Sequence, residues 1–114
     1  MKQLAIKLLE IAEAEKDPII RLSALLECVE NIVEVDDSEP DFKKRTLEKI
    51  RQDKELYEIY ERIIDGMFDL IIMGSATDID RLVTVVKKRV SVLEEKNHYN
   101  QHNPKELNNN KADI

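Results

Sequence analysis

Residues 18–36 spell a helix that is apolar on two opposite sides, and this stretch constrains the fold more than any other. At about 100° per residue, Leu22, Leu25, Leu26, Val29, Ile32 and Val33 form one face, while Ile20, Ala24, Cys28 and Val35 fall nearly opposite. Only Ser23, Glu27, Glu30 and Glu34 make a clean polar strip. A helix apolar on two sides sits in the middle of a bundle or covers a partner. Its start is marked by Asp17-Pro18, because Asp caps helix N-termini and Pro suits the first helical position.

The rest of the chain supplies the neighbours such a helix needs. Helix 1, about 2–16, repeats Met1, Leu4, Ala5, Leu8, Ile11 and Ala12 at helical spacing, with Leu9 widening the stripe. The turn at residues 36–41 has Ser38 three residues before Asp41, a capping-box spacing, and predicts helix 3 over 39–52. Phe42, Leu47 and Ile50 are its few anchors, so it belongs near the surface. Helix 4, about 54–73, uses Leu56, Ile59, Tyr60, Ile63, Met67, Leu70 and Ile71, widened by Tyr57, Ile64 and Phe68. No Gly or Pro separates it from helix 3, so the two can be continuous. Gly66 inside helix 4 suggests close helix approach, and Gly74 is a C-terminal stop.

Thr77 and Asp80 give a second capping-box-like start, and helix 5, about 78–96, buries Ile79, Leu82, Val83, Val86, Val90 and Leu93. This segment is rich in β-branched residues, so a hairpin competes. Lys87-Lys88 lacks the Gly or Asn of a tight hairpin turn, which favours helix. Residues 98–114 lose all periodicity and are rich in Asn. The expected architecture is all-α: an antiparallel four- or five-helix bundle over 1–97, with a polar, flexible C-terminal tail over 98–114. A chain of 114 residues has room for one core.

Charge divides the chain unevenly. The total is −6, but residues 1–41 carry four basic and eleven acidic side chains, while residues 42–64 carry seven and five. The overall sign opposes non-specific binding to phosphate backbones. Two basic clusters, Lys43-Lys44-Arg45 and Lys87-Lys88-Arg89, would carry phosphate contacts if they converged from different helices. Within one helix each triplet spreads around the axis. The single cysteine permits no internal disulfide and fits a reducing, cytoplasmic setting. The apolar run near Leu70–Met73 is far short of the ~18 residues of a membrane span.

No motif names a chemistry. Glu95-x-x-His98 resembles half of a di-metal carboxylate site, which needs two such elements and two further Glu. His98 and His102 stand four apart, too few for structural zinc. Glu10-x-x-Glu13 with Glu34-x-x-Asp37 resembles the Mg²⁺-holding pairs of all-α nucleotide pyrophosphohydrolases. Both pairs end consecutive antiparallel helices, however, and so lie at opposite ends of the bundle. Leu70 and Asp80 break a helix-turn-helix reading of the Gly74 turn. Cys28 reads as a small core residue.

These observations favour a non-enzymatic protein–protein interaction module, a regulator, adaptor or inhibitor, with no cofactor or metal. Docking would use helix faces, steered by acidic side chains toward a basic partner. The candidate residues are Ile20, Ala24, Cys28 and Val35 on the second side of helix 2, and the stripe Glu58, Glu61, Asp65 and Asp69 on helix 4. If helices 3 and 4 leave that second side bare, a homodimer would cover it. The alternatives are a nucleic-acid-associated protein using Lys43, Lys44, Arg45, Lys87, Lys88 and Arg89, which the net charge disfavours, and a small metal-dependent hydrolase.

Overall fold

The computed structural model describes the backbone of residues 2–75 and 78–106, and the side chains of 3–75 and 78–92. It contains α1 (Lys2–Ala14), α2 (Pro18–Ile32), α3 (Phe42–Gln52), α4 (Lys54–Met73) and α5 (Ile79–Glu106). There is no strand among the described residues, so the β-branched segment after Asp78 is helix rather than hairpin.

α2 occupies the centre, packed against α1, α4 and α5 and touching α3 lightly. Its Leu22, Leu25, Cys28 and Val29 are fully buried. Contacts give the directions. Cys28 meets Ala5 and Arg21 meets Ala12, so α1 runs antiparallel to α2. Leu22 meets Gly66, while Glu30 and Tyr60 line one groove, so α4 is also antiparallel to α2. Arg89 reaches Glu55 and Arg21 reaches Asp80, which sets α5 antiparallel to α4 and alongside α2.

The caps follow local chemistry. The Asp17 carboxylate accepts from the Ile19 N–H at 2.9 Å with Pro18 next to it. Asp53 breaks the chain between α3 and α4: its backbone closes α3, and its side chain accepts from Leu56 N–H at 3.1 Å to open α4. Gly74, at φ 78°, ends α4 by donating to the Leu70 carbonyl. Asp78, also at positive φ (66°), leads into α5, and its carbonyl accepts from Leu82 N–H.

Several boundaries differ from the sequence reading. α2 stops at Ile32, not at 36, because Val33 turns extended and β-branched residues lose side-chain freedom in a helix. α1 likewise ends at Ala14, ahead of 16. α3 starts at Phe42, not at 39: Ser38 donates from both its N–H and its hydroxyl to the Asp36 carboxylate, forming a local turn in place of the capping box. α5 continues ten residues beyond 96 to Glu106, since neither Gly nor Pro interrupts it before Pro104. The first part of the expected tail is thus helical, and residues 107–114 lie outside the described ones. Thr77 also lies outside them, and with it the second expected cap.

The stripe of α1 is rotated. Ala5, Leu9 and Ala12, at i, i+4 and i+7, are buried, while Leu4 and Ile11 are about half exposed at its edge. The two alanines let the α1 backbone approach α2 closely enough for the Cys28 thiol to donate to the Ala5 carbonyl at 3.2 Å.

Candidate partner-docking surface

α1 decides the fate of the second side of α2. It covers Ala24 and Cys28, so these two are core within the chain and offer nothing to a partner. This corrects the expectation that α2 shows four residues there. The cover there comes from α1 rather than from α3 or α4. Burial pushes the Cys28 thiol up to about 12, which leaves it protonated and inert. Ile20 stays 43% exposed, and Val35 lies half-buried in the segment after α2.

The opposite arrangement holds on the side of the α2–α4 pair that α3 covers. α3 has 11 residues against 20 in α4, and its Phe42, Leu47 and Ile50 line one groove with Tyr60 in the first half of α4. Tyr57, Tyr60, Ile64, Phe68 and Ile71 share one face of α4 at helical spacing. Tyr57 and Tyr60 are half-buried, whereas Phe68 is 56% and Ile71 77% exposed. Ile72 at 76% and Met73 at 70% extend the apolar end. Ile71 thus departs from the buried face that its spacing predicts. Ile19, one turn before Leu22, comes level with this end of α4 and is also exposed.

Carboxylates flank the bare stripe. Glu61, Asp65 and Asp69 are all exposed on α4. Glu58, Asp65 and Asp69 also line a groove of about 390 Å³ between α4 and α5, together with Asp78, Arg62 and Arg81. Glu61 lies outside this groove. No basic residue occupies the last turn of α4, so its negative dipole end adds to the acidity.

A second groove, of about 560 Å³, opens between the end of α2, the following loop and α3. Its apolar lining includes Val33, Val35, Phe42, Leu47, Ile50 and Tyr60, and its charged lining is Glu27, Glu30, Asp37 and Lys43. Burial, reinforced by Glu27 and opposed by Lys43, holds the Glu30 carboxyl above its usual range. Burial and the Glu30 charge likewise raise Tyr60, against Arg51. Lys49 donates to the Glu34 carbonyl at 2.8 Å and ties α3 to the chain leaving α2.

The basic clusters do not converge: α3 and α5 do not pack on each other among the described residues. Arg45 pairs with Glu39, Lys87 with Glu13 at 3.0 Å, and Arg89 with Asp53 and Glu55. The hydrogen bond from Arg89 holds the Asp53 carboxyl below the usual range, and Asp53 in turn raises Arg89. Lys43, Lys44 and Lys88 remain exposed. Of the carboxylate pairs, Glu13 is engaged by Lys87, and no group of three or more potential metal ligands gathers among the described residues. The side chains of Glu95, His98 and His102 lie outside the described residues.

No described helix is long and apolar enough to cross a membrane. Comparison with protein-family models, curated proteins and solved structures found no match.

Proposed function

We propose that this chain is a non-enzymatic helical interaction module, a regulator, adaptor or inhibitor, that docks a basic amphipathic helix of another protein. The observation that carries this reading is the bare second half of the α4 stripe, where Phe68 and Ile71 face solvent beside Glu61, Asp65 and Asp69, with the exposed Ile72 and Met73 at the helix end. An apolar row at helical spacing accepts the apolar face of another helix, and the carboxylates beside it select positive charge on that helix. The partner would lie where α3 runs out, completing the layer over α2 and α4. A second copy fits less well, because it brings the same Glu61 and Asp65 to the same stripe and like charges would face each other. The homodimer through the second side of α2 has Ile20 left as its main anchor. The cytoplasmic setting belongs to the proposal and rests on Cys28 being the lone cysteine.

The test is titration of the full chain with a synthetic leucine–lysine amphipathic peptide and with its leucine–glutamate counterpart, read by amide shifts. Binding of the lysine peptide at residues 61–73, lost in Phe68→Asp and Ile71→Asp while helicity is kept, supports the reading. Equal binding of both peptides, or binding unchanged by Phe68→Asp, rejects it.

A further inference from the structure

We propose that the groove between α2 and α3 is a separate ligand site for a small organic cation, an ammonium carried on an apolar body. Its volume of about 560 Å³ falls in the range of small-molecule sites, roughly 300–1,000 Å³. The body rests on Val33, Val35 and Leu47, and the charge faces Glu27 and Glu30.

Charge selects the class of ligand. Three carboxylates, Glu27, Glu30 and Asp37, line the groove against the single ammonium of Lys43. Neither Glu27 nor Glu30 forms an ion pair among the described residues. They stand three apart on α2, where like charges repel. Glu30 is also partly desolvated, and its raised carboxyl reports both effects. An ammonium placed here relieves the repulsion and adds a second positive charge beside Lys43 against the three carboxylates. Tyr60 and Phe42 add aromatic rings to the same lining, whose faces attract a cation. An anion would be repelled, and a neutral molecule would leave the excess of negative charge in the groove unchanged.

The site shares no residue with the bare stripe at Phe68 and Ile71, so it stands or falls independently of the docking of a partner helix. The experiment is an amide-shift titration of the full chain with phenethylammonium, its neutral isostere 2-phenylethanol, and the anion phenylacetate. Shifts confined to residues 27–35, 42–50 and 60, at least about fivefold tighter for phenethylammonium than for 2-phenylethanol, are expected. Glu30→Gln should remove that preference with the fold intact, and Phe68→Asp should leave it unchanged. Equal affinity for the cation and the alcohol, no saturable shift in the groove, or a preference that survives Glu30→Gln overturns the proposal.

Discussion

Leu22 of α2 packs directly over Gly66 of α4, its two methyl groups lying 3.4 and 3.5 Å from the position a Cβ on Gly66 would take. Those distances are ordinary contact, so a single methyl fits. Gly66→Ala should therefore stabilise the chain by about 0.5–1 kcal/mol, since Gly inside a helix costs that much relative to Ala. Gly66→Leu should destabilise it, because atoms beyond Cβ enter the space of a fully buried leucine. Thermal melts of the two variants should shift in opposite directions.

Asp53 joins two roles, capping α4 and pairing with Arg89. Asp53→Ala should cost about 1–2 kcal/mol, mostly through the cap, as the pair is partly exposed. The Asp53 carboxyl is depressed in the folded chain, so its stabilisation is present above the unfolded value of about 3.9. It is lost as pH falls through the lower folded value. Urea unfolding of the wild type and Asp53→Ala between pH 7 and pH 2 should show a gap that narrows only on the acid side.

The Cys28 thiol should be closed to chemistry in the folded state. With its value raised to about 12, it stays protonated at pH 8. A disulfide reagent should label it only after denaturant is added, and labelling without denaturant would contradict the packing of α1 on α2. The sign of the shift makes a second expectation. The raised folded value gives stability that is present below the ordinary thiol value of about 8.5. That contribution is lost as pH rises toward 12.

Core and edge should separate cleanly under charge substitution. Leu25 and Val29 are fully buried, so Leu25→Asp or Val29→Asp buries an unpaired charge and should unfold the chain. Ile20→Asp and Leu4→Asp, at positions close to half exposed, should keep native helicity. Circular dichroism at 25 °C separates the two groups.

The elements themselves were legible because helical spacing is a local property. The two-sided stripe of 18–36 called for a helix in the middle of a bundle or one covering a partner, and α2 is central. Asp17-Pro18 and Gly74 bounded helices as expected, since caps act through bonds to residues two to four positions away. Boundaries slipped where two local options compete. Ser38 chose Asp36 over the helix start, and Val33 left the helix for an extended conformation.

Docking surfaces were read less well, because exposure is a property of neighbours. The sequence by itself determined an all-α chain, a helix buried on two sides and an acidic row on helix 4. It could not say that α1 would cover Ala24 and Cys28, since that depends on the rotation of α1 about its own axis, set by Ala5 against Cys28 and Ala12 against Arg21. Nor could it say that Phe68 and Ile71 would stay bare. The shortness of helix 3 beside helix 4 was visible in the segment lengths, but only packing decided which half of α4 it would cover. Periodicity fixes which residues share a face, whereas burial requires a second surface to arrive there, and that is decided by contacts between segments distant in the chain.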